Sequence, residues 1–220
     1  MTTPLGPPMR LAFRWMTSRG LAGVWLRGEL PRSRAVWAAN HHSWWDPFLA
    51  ATLLGGAGQR PSLVMRADNL TRFPYLRQVE VFGHDQPRRG LELLRAGRVL
   101  IVFPEGELRP AGPPGPVAPG AAWYAIRSGA PLCSAAVRLL MRGRQHPEAF
   151  VTVRPVDATG TLAEVTDRLA AVLAADLAEI DAANLTTDPR RPLPGWRLAA
   201  RGRRGADERA TWRRPEREPV

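Results

Sequence analysis

With 220 residues and a hydrophobic content of 45%, the chain can bury one substantial core, and a single domain is the default reading. Its single cysteine, Cys133, excludes an intramolecular disulfide framework and a Cys-rich zinc site, and fits a reducing compartment. The net charge of +11 sits at the ends: residues 1–34 hold six Arg and one Glu, and residues 186–220 ten Arg and five acids, which leaves fifteen Arg and fourteen acids between them.

Residues 8–27 mix large apolar side chains with Arg10, Arg14, Arg19 and Arg27. At 100° per residue, Arg10, Arg14, Thr17 and Ser18 fall on one side and Leu11, Ala12, Trp15 and Met16 on the other, which predicts an N-terminal amphipathic helix over two to three turns. Such a helix reads equally as one packed on the domain or one lying in a membrane interface with Trp below the headgroups. No signal-peptide pattern is present, and no window holds the roughly twenty apolar residues that span a bilayer. The expected location is cytoplasmic, peripherally bound to the inner face of the membrane.

A strand at about 34–39 runs into Asn40-His41-His42-Ser43-Trp44-Trp45-Asp46-Pro47, and a helix from about 46 to 54 ends at Gly55-Gly56. Residues 62–65 read as a short strand and 68–86 as irregular, with one helical turn at 73–76 and an extended piece at 79–82. A helix at 88–96 precedes an apolar strand at 98–103, which ends in Phe103-Pro104-Glu105-Gly106. The Pro/Gly tract 110–120 must be a loop. A helix at 120–128, strands at 131–138 and 149–155, and an Ala/Leu-rich helix at 161–183 follow. The alternation predicts an α/β fold: a central, mostly parallel mixed sheet flanked by helices. Beyond residue 186, Arg, Pro and Gly dominate and a mostly disordered basic tail is expected. The expected organisation is thus an N-terminal helical segment over 1–30, a domain over 31–185 and a tail over 186–220.

Two polar motifs at the ends of two buried strands are how an α/β protein gathers a site, because ligands collect at the carboxyl edge of the sheet. A histidine becomes a better base when a carboxylate binds its other ring nitrogen and fixes the tautomer. A turn into a helix lets Asp46 fold back on a histidine five residues earlier, whereas an extended strand would hold them about 16 Å apart. His42, at spacing four, competes with His41 for the role. No G-x-S-x-G elbow exists, and Cys133 falls inside a predicted buried strand, so direct attack by a substrate hydroxyl is favoured over a protein nucleophile. A metal site built from His41, His42, Asp46, His84 and Asp85 lacks ligand spacing, and no metal or cofactor is expected.

Asn40-His41-x-Ser43-x-x-Asp46-Pro47 followed by Phe103-Pro104-Glu105-Gly106 resembles the phospholipid/glycerol acyltransferase family, which includes the 1-acylglycerol-3-phosphate acyltransferases. The similarity covers roughly residues 30–140, with weaker support from Pro119–Ala122 and Gly129–Leu132. The resemblance implies a glycerol-3-phosphate acyltransferase-like fold, with His41 as base and Asp46 as its orienter. It implies acyl transfer from acyl-CoA or an acyl carrier protein to a lipid hydroxyl, with 1-acylglycerol-3-phosphate the default acceptor in phospholipid synthesis. Glu105 and Gly106 are implied to help build the acceptor site, and Asn40 and Ser43, by residue type natural turn and cap residues, join the substrate-binding set.

The chain also departs from the family. Where an arginine is expected after FPEG stands Leu108, with Arg109 one residue late, and the preceding block places arginines only at Arg88 and Arg89. Either Arg88, Arg89 and Arg109 bind the phosphate, or the acceptor is a non-phosphate lipid alcohol such as a glycolipid or carotenoid glycoside; the same arginines also read as a solvated surface. A third reading makes the basic ends the active part, binding nucleic acid or an anionic surface. The near-neutral middle lacks the aromatic–basic interleaving that nucleic-acid binding requires, so no nucleic-acid partner is expected.

Overall fold

A computed structural model describes residues 6–206, and the side chains of residues 11–206. In chain order the elements are α1 (Gly6–Gly20), β1 (Gly23–Arg27), β2 (Ala35–Ala39), α2 (Asp46–Gly56), β3 (Pro61–Met65) and α3 (Ala67–Arg72). A 3-10 turn at Pro74–Val79 leads to β4 (Val81–Gly83), α4 (Pro87–Arg95), β5 (Val99–Val102) and α5 (Gly120–Ser128). The last elements are β6 (Leu132–Leu140), β7 (Glu148–Val156), α6 (Leu162–Thr186) and β8 (Arg197–Arg201).

The eight strands form one sheet in the order β4-β3-β5-β2-β6-β7-β1-β8. β2 lies at its centre, parallel to β5 on one side and to β6 on the other, with Trp37 beside both Ile101 and Cys133. Because β2 and β5 run in parallel with Ala38 opposite Val102, their carboxyl ends emerge side by side. That register alone brings Asn40 and Phe103, the first residues of the two sequence motifs, to the same edge. The sheet is mixed, since β6 and β7 form an antiparallel pair and β8 runs antiparallel to β1.

Both faces of the sheet are covered, which is why β2 and β5 read as unbroken apolar runs. Side chains alternate: Val36, Ala38, Leu100 and Val102 pack under α4, α5 and α6, while Ala35, Trp37, Val99 and Ile101 pack under α2. α6 presents Val165, Leu169, Leu173, Leu177 and Ile180, all at most 1% exposed, as one stripe at helical spacing. It starts at a capping box in which Thr161 and Glu164 satisfy each other's backbone N–H groups.

The structure differs from expectation at both ends. Residues 23–27, placed within the N-terminal helical segment over 1–30, form β1, parallel to β7. Their apolar side chains serve two covered faces, which erases the alternation that marks a strand. The tail does not begin at 186: α6 runs to Thr186, Leu193 and Trp196 are buried, and β8 extends the sheet on β1. Residues 207–220 of that segment lie outside the described residues. Within 68–86, read as irregular, α3 forms over Ala67–Arg72.

α1 packs on α2 through Phe13 on Phe48, ring centroids 5.0 Å apart, and through the Thr17 hydroxyl 3.2 Å from that of Thr52. Thr17, assigned to the polar side, is therefore the buried one. Leu11 and Trp15, on the apolar side, are 65% and 57% exposed.

Candidate functional site

The turn between β2 and α2 is organised by one buried carboxylate. Asp46 opens α2, where a negative charge and a proline in the first turn both suit a helix N-terminus. Its Oδ2 accepts the backbone N–H groups of His42 and Ser43 at 2.9 and 2.8 Å and stands 3.0 Å from Nδ1 of His41. With Asp46 only 2% exposed, the carboxylate is held by the turn it organises. His41 Nδ1 thus carries the proton, and Nε2, which has no partner among the described residues, keeps its lone pair. The ring stacks on Phe103 at a centroid distance of 4.4 Å and borders an open cleft. The structure therefore separates the two histidines that sequence left in competition: the pair with Asp46 is made by the His41 ring.

Asn40 and Ser43, placed with the substrate in the sequence reading, do not line that cleft. Asn40 is wholly buried and exchanges two hydrogen bonds with the backbone of Val137, extending the β2–β6 pairing through its side chain. Ser43 caps the turn, its Oγ accepting the Trp45 N–H at 3.1 Å.

The Phe103–Gly106 loop is fastened to the same turn. Glu105 is 6% exposed, and its oxygens accept the backbone N–H groups of His41 at 2.8 Å and Gly115 at 2.9 Å. A third strut is the Arg109 N–H donated to the His41 carbonyl at 2.8 Å. Gly106 has φ +73°, the left-handed region that favours glycine, and lines the cleft. Glu105 thus faces backbone, and Gly106 faces the open site.

His42 turns away from the cleft. Its side chain is 5% exposed, with Nδ1 2.7 Å from a nitrogen of the buried Arg138 and Nε2 3.7 Å from Glu105. Burial is the largest cause of a pKa below the ordinary histidine range; Arg138 and His41 push the same way, and Glu105 and Asp46 oppose. Cys133 is buried in β6 with its thiol pushed up to about 11, which leaves no thiolate to act as a nucleophile near neutral pH.

The cleft that His41 borders has a volume of about 1060 Å³. The three arginines expected to bind an anion are not in its lining. Arg89 is held by Glu80 and Glu92, Arg109 pairs with Glu107 at 2.7 Å, and Arg88, the second residue of α4, is absent from the lining although Pro87 before it is present. The cations in the lining are Arg66 and Arg72, accompanied by Asp68, Asn69, His84 and Glu107. Arg66 follows the last residue of β3, at the same sheet edge as Asn40, so edge position was the available signal. Arg72 gave no such signal, because 68–86 read as irregular. Beside the cleft lies an apolar cavity of about 100 Å³, which shares Pro47, Leu63 and Met65 as walls and is completed by Phe13, Phe48 and Leu76.

This arrangement can deprotonate a neutral hydroxyl placed in the cleft and stabilise the resulting imidazolium through Asp46. Among the described residues, no group of three or more His, Cys, Asp or Glu converges as metal ligands would, and no helix is long and apolar enough to cross a membrane.

A family model described as Acyltransferase matches residues 26–138, just over half of the chain. Among solved structures the chain is similar to the 1-acyl-sn-glycerophosphate (LPA) acyltransferase PlsC from Thermotoga maritima, with 22% identity, a TM-score of 0.59, and coverage of 79% of this chain and 76% of that one. At that identity the likeness is one of fold. No curated protein matches the chain.

Proposed function

The chain belongs to the acyltransferase family, and we propose that it moves a fatty acyl group from acyl-CoA or an acyl carrier protein to the free hydroxyl of a lipid, with 1-acylglycerol-3-phosphate as acceptor. The observation that carries the reading is the His41–Asp46 pair opening onto a wide cleft with an apolar cavity at its side. His41 Nε2 takes the hydroxyl proton as the oxygen attacks the thioester carbonyl carbon. The tetrahedral intermediate then expels the thiolate, which recovers that proton from the imidazolium. The products are an ester and a free thiol, and no acyl group is carried by the protein. The apolar cavity suits the acyl chain, and Arg66 and Arg72 are the cations placed to meet a phosphate. The exposed Leu11 and Trp15 of α1, with Arg19 over the Trp15 ring at 4.8 Å, suit a peripheral membrane contact that delivers the lipid.

A second acceptor class is favoured by one observation. The cleft's two arginines are matched by two carboxylates, Asp68 and Glu107, and Arg66 pairs with Asp68 at 3.1 Å. A balanced, hydrogen-bonding lining of this kind fits a sugar or polyol headgroup better than a bare phosphate. The test is mass spectrometry of the lipids acylated by the purified protein from a mixed pool of lysophosphatidate and glycolipid acceptors, with acyl-CoA and with acylated acyl carrier protein as donors. Acylated lysophosphatidate as the main product supports the first reading, an acylated sugar lipid the second, and no acylated lipid from either donor type overturns both.

A further inference from the structure

We propose that His42 is a positioning residue: a neutral imidazole set between Arg138 and Glu105 that locks the His41 turn to the Phe103–Gly106 loop. The inference rests on the acyl-transfer reading above and adds a second histidine whose role is not proton transfer to substrate.

Consecutive histidines point to opposite sides of the turn. His41 borders the cleft, while His42 enters the protein and meets Arg138 NH1 at 2.7 Å through Nδ1. A guanidinium can only donate, so Nδ1 must carry the lone pair and the ring proton sits on Nε2. Nε2 is buried with no hydrogen-bond partner, and it lies 3.7 Å from Glu105 Oε1. That gap exceeds a hydrogen bond, yet it sets the N–H dipole against a buried carboxylate in a poorly screened interior. The tautomer is thus dictated by Arg138, and it is the one tautomer that presents a proton to Glu105.

Arg138 is itself fixed. Only 4% exposed, it donates to Asp181 through Nε at 2.8 Å and NH2 at 2.9 Å, and to the Gly112 carbonyl at 2.7 Å. Glu105, at the other end, holds the His41 and Gly115 N–H groups. A polar chain therefore runs from α6 through β6 to the turn of His41 and, across the 3.7 Å step from His42 to Glu105, on to the loop after β5. It also ties the Pro/Gly tract at Gly112 and at Gly115. The base is placed by this chain, because the N–H of His41 is one of the two that Glu105 anchors.

A protonated His42 could no longer accept from Arg138 and would set two cations side by side. The groups facing it are Glu105, Arg138, Asp46 and His41, with Asp181 behind Arg138. The network therefore works with His42 neutral, and acid disrupts it.

The experiment compares the full chain with its His42→Ala and His42→Gln variants in thioester consumption with whichever lipid acceptor the wild type uses, reading kcat, KM and the pH profile alongside thermal midpoints. Glutamine can accept from Arg138 and donate toward Glu105 but cannot serve as a base. Expected are a kcat about 10- to 100-fold lower for His42→Ala, the scale of a reacting group displaced by about 1 Å, and a thioester KM within about threefold of wild type. His42→Gln should recover kcat to within about fivefold, and the acid limb of its kcat/KM profile should become shallower. A wild-type kcat in His42→Ala overturns the proposal. So does a Gln variant as slow as the Ala variant, which would mean that the imidazole itself is needed. If His42→Ala does not fold, the Gln variant alone decides: near-native kcat with a shallower acid limb supports the proposal, and a loss beyond 100-fold overturns it. Absence of transfer by the wild type would sink the acyl-transfer reading instead, so the two failures are distinct.

Discussion

Oδ2 of Asp46 lies 3.0 Å from Nδ1 of His41 and, at the same time, accepts two backbone N–H groups of the turn that carries that histidine. Placement and orientation of the proposed base thus depend on one oxygen atom. Replacing His41 by Ala should lower the transfer rate by about 10²- to 10⁴-fold with the fold intact, the usual contribution of a positioned general base. Asp46→Asn should lose on the order of 10³-fold or more, since the imidazole loses its charged partner and its enforced tautomer. Single-turnover kinetics on folded protein check both, and near-normal rates in either variant would remove His41 as the base.

Glu105 gives a stability prediction. Each of its oxygens accepts a backbone N–H, at 2.8 and 2.9 Å, and the amide of Glu105→Gln can accept only one of them. The other N–H then faces an NH₂ group in a buried setting, a loss of about 1–3 kcal/mol. For a protein of this length, each kcal/mol lowers the thermal midpoint by roughly 2–4 °C. Calorimetry showing no shift would mean that Glu105 does not anchor the turn.

The cleft's cations make acceptor recognition testable. Changing Arg66 and Arg72 together to Gln should raise the KM for lysophosphatidate by about 10- to 100-fold, as expected when hydrogen bonds to a charged group are lost. Changing Arg88, Arg89 and Arg109 together should leave it within about threefold, because none of the three lines the cleft. The reverse pattern would return phosphate binding to the positions suggested by sequence.

On α1, Leu11 and Trp15 are largely exposed and bear little of the packing, which falls to Phe13 and Thr17. Leu11→Asp with Trp15→Asp should therefore leave the thermal midpoint nearly unchanged and weaken vesicle binding by about tenfold or more, through lost apolar burial in the interface. Vesicle flotation measures it. Unchanged binding would assign the membrane contact to another surface.

Acid should act on stability through His42. Burial holds its pKa below the ordinary histidine value of about 6.5 in the folded protein. A base depressed in this way takes up its proton more readily in the unfolded chain. Its contribution to stability is therefore complete above about 6.5 and is lost as pH falls toward the folded value. Asp176, raised mainly by burial, works in the opposite sense across the carboxylate range. Thermal midpoints measured from pH 7 down to 5 should fall less steeply for His42→Gln than for wild type, and parallel slopes would place the acid sensitivity elsewhere.

The turn that pairs His41 with Asp46 was legible because its elements are local: a spacing of five, a proline after Asp46, and an apolar strand before Asn40. The same reasoning could not separate His41 from His42, since their difference lies in what each ring meets, and Arg138 arrives from a strand about a hundred residues away. Arg138 is the one charged residue in the run Leu132–Leu140, and that isolated charge was the trace of a buried partner. β1 was hidden because its apolar residues serve two covered faces and continue a helix-like pattern from α1. β8 was hidden because the arginines around Leu193, Trp196 and Leu198 dominate the local composition, although Leu193 and Trp196 are buried. Arg66 was missed although it directly follows the predicted strand at 62–65, and Arg72 because the short helix that carries it, α3, falls in a stretch read as irregular.

The pairing of Gly23 with Arg201 joins an early strand of the fold to the last described one. During synthesis the outer hydrogen-bonding edge of β1 stays unpaired until the ribosome has released its arginine-rich partner, some 170 residues later. A nascent chain stalled before residue 197 would carry an open template for strand addition beside a sticky amphipathic helix, a hazard for which chaperones exist.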